Sequence, residues 1–272
     1  MACGCGRSPD GCRGWHALTE EQFQIEYQSF LNEKEGKLRV TDVEHYTDTL
    51  FKFQLTKPEG FDFKAGQFTM IGLDDTPKRA YSLTSAPQDN FIEFYSIKVP
   101  DGALTKELQH IKVGDDIEMG ERTSGTLTLA NIELGGNLWM FATGTGIAPF
   151  ISLLRDPETF ERFDTVNLAW SVRTRAELKS YHKFLLSLDG YFSYYPTVTQ
   201  DEPALRVLSG RITDHIDNDV FWKFIRPDSD KIMVCGNMDF NNDMKKRFVD
   251  IGFNEGNKKS AGTFLQEKAF VG

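Results

Sequence analysis

The chain has 272 residues, of which 40% are apolar and 26% are charged, and its net charge is −9. At roughly 100–200 residues per domain, this length predicts two domains. The acidic balance argues against a general nucleic-acid binder, which needs a basic surface.

Residues 1–34 differ in composition from the rest and are expected to form a Cys-rich N-terminal extension. A short helix is predicted near their end, with Thr19 as its N-cap and Gln22 as the capping-box partner. Thiols and an imidazole could bind zinc or an iron–sulfur centre, and the candidates are Cys3, Cys5, Cys12 and His16. The Cys-x-Cys spacing is tighter than that of zinc fingers, so no metal is assigned. A redox-active thiol segment and a docking tail are the alternatives.

Residues 35–134 show the pattern of short strands. The predicted strands are β-rich or alternate apolar with polar residues, and they are Leu38–Val40, Thr49–Leu55 and Phe91–Ile97. Turn sequences separate them, at Lys57–Gly60 and Pro100–Gly102. This spacing favours an antiparallel β-barrel.

Residues 135–272 alternate strands with helices, which predicts an α/β domain with a parallel sheet. The predicted strands are Leu138–Ala142, Val166–Trp170 and Lys231–Cys235, and the predicted helices are Ala148–Arg155, Leu178–Leu188 and Asn241–Val249. The stretch Leu134–Leu154 carries no charge, but its glycines and Pro149 suit a strand, a turn and a helix start better than a membrane span. The N-terminus lacks a basic region followed by an apolar run, so we expect a cytoplasmic protein.

The segment Arg79–Ser82 has residues suited to a flavin. Tyr81 offers a flat face for an isoalloxazine ring, Ser82 can hydrogen-bond its edge, and Arg79 can bind a diphosphate. Arg79 and Tyr81 would share one face of a strand. An ordinary surface strand is the alternative interpretation of this segment alone.

Two Gly-led turns could bind phosphate groups. Gly102–Thr105 runs into a helix, although a plain helix cap explains it equally. Gly144–Gly146 follows a strand and opens a helix, which is the context of a diphosphate-binding loop, although a ligand-free turn is possible. Cys235 ends a predicted parallel strand, where such sheets bind ligands, but it could also be a small buried side chain.

Taken together, these motifs resemble the bacterial ferredoxin (or flavodoxin)–NADP reductases over residues 36–272. The segments that carry the resemblance, in chain order, are Ala65–Thr69, Arg79–Ser82, Phe94–Val99, Gly102–Thr105, Ala142–Pro149, Gly210–Ile212, Cys235–Asn237 and Glu267–Gly272. Several motifs in this order are far more specific than any one alone.

The resemblance implies an FAD-binding barrel followed by an NADP-binding α/β domain. On the flavin side it implies contacts from Arg79, Ala80, Tyr81, Ser82, Tyr95, Ile97, Val99, Gly102, Leu104 and Thr105. On the nucleotide side it implies contacts from Gly144, Thr145, Gly146, Ile147, Arg173, Arg211, Gly236 and Asn237. Ser82, Cys235 and Tyr81 would support the chemistry directly.

Two further features bear on the cofactors. Gln200 stands where many relatives carry an Arg, so the preference for NADP over NAD would be weaker unless Arg206 compensates. The tail resembles a subgroup ending in Ala-Phe-Val, which implies that it returns to the flavin, with Ala269 near the isoalloxazine and Phe270 on the adenine of FAD.

The implied activity is electron transfer between NADPH and a one-electron carrier, ferredoxin or flavodoxin, with hydride passing to flavin N5. An acidic carrier would need a local basic patch, for which the candidates are Lys52, Lys64, Lys78 and Lys98. The alternatives are an oxygenase reductase component, an NAD(P)H–flavin reductase, or a flavoprotein redox sensor acting through the Cys-rich extension.

Overall fold

The computed structural model describes residue 7 and residues 13–34, 36–218 and 221–269. The first described helix is α1, Glu20–Lys34. Its predicted cap is confirmed, since the Gln22 N–H donates to Thr19 Oγ1 (3.2 Å) and the Thr19 N–H donates to the Gln22 side chain (3.1 Å). Trp15 is buried against three aromatic rings of this helix, Phe23, Tyr27 and Phe30.

The first sheet is antiparallel and has six strands, in the order β4-β3-β6-β1-β2-β5. These strands are β1 Lys37–His45, β2 Leu50–Thr56, β3 Phe68–Gly72, β4 Arg79–Ser82, β5 Phe91–Ile97 and β6 Asp116–Met119, and the short helix α2 Thr105–Leu108 lies between β5 and β6. A bridge between Leu83 and Phe94 joins the two edge strands, so the sheet closes like a barrel. Its interior is filled by phenylalanine and aliphatic side chains, among them Phe51, Phe53 and Phe94.

The second sheet is parallel, in the order β10-β9-β8-β7-β11-β12. Its strands are β7 Asn137–Thr143, β8 Thr165–Val172, β9 Phe192–Val198, β10 Leu208–Ser209, β11 Lys231–Gly236 and β12 Phe264–Lys268. The helices around it are α3 Ala148–Arg155, α4 Pro157–Arg162, α5 Arg175–Ser187, α6 Ile212–Asp217 and α7 Met238–Asp250. The chain moves outward from β7 in one direction and then returns to place β11 on its other side. This reversal creates a crevice at the carboxyl ends of β7 and β11, where open α/β sheets bind ligands.

The expected fold class, an antiparallel barrel followed by an α/β domain, is confirmed. The uncharged stretch Leu134–Leu154 forms β7 and most of α3. No helix in the described ranges is long and apolar enough to cross a membrane. One apolar cluster continues across the two domains, because Leu50, Tyr95 and Leu127 of the first domain pack with α3 and β7 of the second.

Candidate functional site

A cleft lies between the barrel and the crevice of the parallel sheet. Its walls are formed by Ala80, Tyr81, Ser82, Tyr95, Ser96, Ile97, Thr145, Gly146, Ala148, Cys235 and Ala269. Residues separated by almost 190 positions in the sequence therefore meet in one place.

The barrel wall of the cleft presents an aromatic ring and hydroxyl groups. Tyr81 packs edge-on against Phe94, and its hydroxyl shares a hydrogen bond of 3.0 Å with Ser96 Oγ. Burial raises the pKa of Tyr81 despite that hydrogen bond, so the side chain stays a neutral phenol. The Ser96 hydrogen bond and the Phe94 contact hold the ring at this wall of the cleft.

The opposite wall begins at the turn Gly144–Ile147, which follows β7 and opens α3. Gly144 has φ +52°, and nothing in the described chain lies within 4 Å of where its Cβ would be. The N-terminus of α3 has no side-chain cap, but the Ala148 N–H donates to the Thr145 carbonyl and Pro149 has no N–H, so the first two residues of the helix offer no free donor. A glycine turn with open space around it, leading into a helix, is the context that an anionic diphosphate needs.

The carboxyl ends of β7 and β11 approach each other closely at two glycines, one on each side. A Cβ on Gly146 would lie 2.3 Å from the Cys235 carbonyl oxygen, and one on Gly236 would lie 2.4 Å from Thr143 Oγ1. Only glycine allows this approach, which brings Thr145 and Cys235 to the same cleft. Asn237 has a structural contact, since its side-chain oxygen accepts from the Phe240 N–H (2.9 Å) and caps α7.

Cys235 is buried, and its pKa lies well above the ordinary value because of burial and, second, because of the Glu267 carboxylate. It is therefore a neutral thiol and not a reactive thiolate. Burial likewise raises the pKa of Glu267, although the Thr126 N–H (2.9 Å) and Oγ1 (3.3 Å) donate to its carboxylate. The Ala269 N–H donates to the Gly236 carbonyl (2.8 Å), which holds the C-terminal segment beside the cleft. Phe270 lies outside the described residues.

Two exposed arginines, Arg173 and Arg211, lie at the carboxyl ends of β8 and β10. The loops after β8, β9 and β10 are tied together, because the Gln200 N–H donates to the Arg173 carbonyl (2.8 Å) and the Gly210 N–H donates to the Val198 carbonyl (2.8 Å). Arg173, Gln200 and Arg211 consequently share one edge of the sheet, on the side of the glycine turn. This edge also carries Arg175, whose Nε lies 3.5 Å from Asp201.

Several predicted ligand residues have buried side chains. Leu104 and Ile147 are fully buried, and Thr105 donates its hydroxyl to the Val99 carbonyl (3.1 Å). Gly102 approaches Thr105 so closely that a Cβ would lie 2.1 Å from its Oγ1. At these positions only backbone groups could contact a phosphate, and the Gly102 N–H already donates to the Val99 carbonyl (3.0 Å). Arg79 lies at the start of β4, outside the residues that line the cleft.

The sequence analysis missed a buried polar cluster behind the cleft. Glu93 of β5 is fully buried and is bonded to Arg155 (3.0 Å) and Tyr181 (3.2 Å) of the second domain. Lys52, a docking candidate, belongs to this cluster, with its side chain only 16% exposed. That location does not suit a residue that must meet a partner protein. Lys78 is exposed but pairs with Glu118 (2.9 Å), and Lys98 donates to the Thr47 carbonyl (3.2 Å).

Three of the four candidate metal ligands, Cys3, Cys5 and Cys12, lie outside the described residues. His16 is exposed. Within the ranges that the structure describes, no group of three or more His, Cys, Asp or Glu side chains could hold a metal ion.

Comparison with known proteins identifies two domains. An oxidoreductase FAD-binding domain matches residues 38–125, and an oxidoreductase NAD-binding domain matches residues 140–246. The chain is 44% identical to a flavodoxin/ferredoxin–NADP reductase of Rhodobacter capsulatus over 86% of this chain and 92% of that protein. It is 41% identical to ferredoxin–NADP reductase A of Sorangium cellulosum, over 86% of this chain and 89% of that protein. The crystal structure of a ferredoxin NADP⁺ reductase from Neisseria gonorrhoeae with bound FAD and NADP superposes with a TM-score of 0.80 at 31% identity, covering 86% of this chain and 98% of that one.

Proposed function

Because the chain belongs to the ferredoxin/flavodoxin–NADP reductase family, we propose that it transfers electrons between NADPH and ferredoxin or flavodoxin through FAD. The observation that carries this proposal is the meeting of Tyr81 and Ser82 with Thr145 and Cys235 in one cleft. A flavin wall and a nicotinamide wall must face each other for hydride transfer.

The residues present fit FAD. Tyr81 supplies a neutral aromatic face, Ser82 supplies a hydroxyl, and Ile97 supplies apolar surface in the same cleft. We assign the FAD phosphates to the backbone N–H groups that follow Gly102 in the turn, up to Thr105, and to the guanidinium of Arg79, with Gly102 and Val99 beside them. Tyr95 and Ala80 complete the flavin wall, and Ala269 covers it from the C-terminal segment.

The residues present also fit NADP. The open backbone at Gly144, in the turn that leads into α3, would hold the diphosphate, with Gly146, Ile147, Gly236 and Asn237 shaping the crevice. Arg173 and Arg211 would bind the 2′-phosphate, which NAD lacks. Gln200 stands between them without a charge, so we expect discrimination against NADH to be incomplete.

FAD, when bound, supplies the chemistry, since it accepts a hydride from NADPH and releases electrons one at a time. The protein contributes positioning. Tyr81 and Ser82 would orient one ring, and Thr145 and the neutral Cys235 thiol would contact the other. No described side chain in the cleft carries a charge at neutral pH, so alignment and not acid–base catalysis provides the rate enhancement.

Three finer points belong to the same proposal. The chain divides into the extension 1–34, the FAD domain 35–134 and the NADP domain 135–272. The tail belongs to the Ala-Phe-Val subgroup, and Ala269 in the cleft wall supports this assignment. The acceptor docks beside the flavin edge, where Lys64 is exposed and remains the candidate least engaged in other contacts.

The test is an anaerobic titration of the purified protein with NADPH and, separately, with NADH, followed by its visible spectrum. Flavin bands that NADPH bleaches quickly and NADH slowly would support the proposal, including the roles of Arg173 and Arg211. Equal bleaching would mean that Gln200 has relaxed cofactor choice. A protein without flavin bands, even after FAD is added, would overturn the proposal.

A further inference from the structure

The buried carboxylate of Glu93 joins the two domains. Its oxygens have partners in the barrel and in the α/β domain at the same time. The barrel partners are Thr84 Oγ1 (2.8 Å), Gln54 Nε2 (3.0 Å) and Lys52 Nζ (3.7 Å). The partners from the other domain are Arg155 Nη2 (3.0 Å) and the Tyr181 hydroxyl (3.2 Å).

This cluster keeps Glu93 ionised. Burial alone would raise the pKa of the carboxyl, but the positive charges of Arg155 and Lys52 and the hydrogen bonds from Gln54 and Thr84 outweigh it, so the pKa lies below its ordinary value. A buried carboxylate that loses its partners is strongly destabilised. Relative orientations of the two domains that withdraw Arg155 and Tyr181 from Glu93 are therefore disfavoured. Apolar contacts alone would allow one domain to slide against the other.

Helix α3 connects this cluster to the glycine turn. Arg155 is the last residue of α3 and also donates Nη1 to the Thr84 carbonyl (3.1 Å). On the same helix, Ser152 donates to the Ser85 carbonyl (2.6 Å). The helix begins directly after Gly144–Ile147, and eight residues span only about 12 Å. Fixing the end of α3 on the barrel thus fixes the turn at its start.

A second connection reaches the cleft wall directly. Tyr95 lies two residues after Glu93 on β5, on the same face of the strand. Its ring packs edge-on against Tyr181 at 5.3 Å, and its hydroxyl accepts from Ser180 (3.1 Å). Helix α5 therefore contacts both the buried carboxylate and a residue that lines the cleft.

We propose that Glu93 is a positioning residue, which pins α3 and α5 to the barrel and so holds the two walls of the cleft at the separation that hydride transfer needs. It touches neither cofactor. Its effect on the rate rests on the proposed function, whereas its effect on domain coupling does not.

The first test compares Glu93→Gln with Glu44→Gln. Both changes remove one carboxylate that pairs with Lys52, but the Glu44 side chain is 52% exposed, and its polar partners among the described residues, Lys52 and Tyr46, both belong to the barrel. We expect Glu93→Gln to keep FAD and to bind NADP⁺ within twofold of the parent, but to slow hydride transfer tenfold or more in rapid-mixing experiments. In calorimetry it should unfold in two transitions where the parent and Glu44→Gln show one.

The second test separates positioning from stability. The double variant Glu93→Gln/Arg155→Met removes both charges, so it should regain most of the midpoint temperature lost in Glu93→Gln. Positioning requires that its hydride transfer stays slow. Recovery of the rate together with the stability would overturn the proposal, and so would a Glu93→Gln rate equal to that of Glu44→Gln. If NADPH does not reduce the parent protein, the proposed function fails, and the number of calorimetric transitions still decides whether Glu93 couples the domains.

Discussion

Replacing Gly146 with alanine tests whether the close approach of β7 and β11 sets the geometry of the cleft. The new Cβ would lie 2.3 Å from the Cys235 carbonyl oxygen and 2.7 Å from its carbon, where ordinary contacts begin at 3.4 Å. The two strand ends would have to separate by about 1 Å, and a misplacement of that size can cost roughly 100-fold in rate. Overpacking of this kind also costs about 1–3 kcal/mol of stability.

The assay is rapid mixing of the FAD-loaded variant with NADPH, together with its thermal unfolding. We expect hydride transfer to fall by about two orders of magnitude, with FAD retained. Gly190→Ala is the control, because Gly190 has φ +77° on a surface loop with nothing in the described chain within 4 Å of the new methyl group. Backbone strain should lower the free energy of unfolding of Gly190→Ala by about 1–2 kcal/mol without changing its rate of hydride transfer. A Gly146→Ala protein that transfers hydride as fast as Gly190→Ala would refute the reasoning.

Three further predictions concern single side chains. Cys235→Ala should keep FAD but slow hydride transfer several-fold, and unchanged rapid-reaction kinetics would exclude Cys235 from the site. Gln200→Arg should improve binding of NADPH relative to NADH by roughly 10- to 100-fold, because one charge-assisted contact to phosphate contributes about 1.5–3 kcal/mol. Equal titration curves for the two proteins would contradict the placement of the 2′-phosphate. Burial raises the pKa of Glu267, so its contribution to stability is present below the unfolded-state pKa of about 4.3 and is lost as the pH rises through the folded-state value. The unfolding midpoint temperature of Glu267→Gln should therefore rise relative to that of the parent as the pH increases from 4 to 7.5. A difference between the two midpoint temperatures that does not change with pH would show that the pKa of Glu267 is not raised.

Most of the architecture follows from local patterns in the sequence. The predicted strands at Leu138–Ala142, Val166–Trp170 and Lys231–Cys235 are confirmed, because each is a short apolar run that the sheet buries on both faces. The predicted helix Asn241–Val249 is also found, but it begins at Met238, since the Asn237 side chain caps it three residues earlier than the apolar pattern starts.

The elements that local patterns did not predict depend on distant residues. Strand β9 contains Pro196, which argues against a central strand, yet it pairs with β8 in the parallel sheet. Strand β12 reads as a polar segment around Gln266 and Glu267, and it forms because β11 offers an edge. Propensity cannot identify a strand whose pairing partner decides its conformation.

The buried carboxylate shows the same limit within the site. Glu93 alternates with Ile92 and Phe94, so the pattern of β5 alone predicts a solvent-facing side chain. The second domain covers that face, and the donors from Arg155 and Tyr181 are 62 and 88 residues away in sequence. The glycine turn and Tyr81, in contrast, carry their chemistry within a few neighbouring residues and were recognisable.

The hydrogen bonds between Thr126 and Glu267 have a consequence for synthesis on the ribosome. The two residues are 141 positions apart, although both help to hold the barrel against the C-terminal strand. At about 5–20 residues per second, roughly 7–30 s of translation separate the emergence of Thr126 from that of its partner. During that interval the barrel strands are already available to pair, but the cleft lacks one wall. The wall of the cleft that Cys235 and Ala269 form is therefore completed only after the whole barrel has emerged, so its assembly is timed by elongation and not by the folding of the barrel.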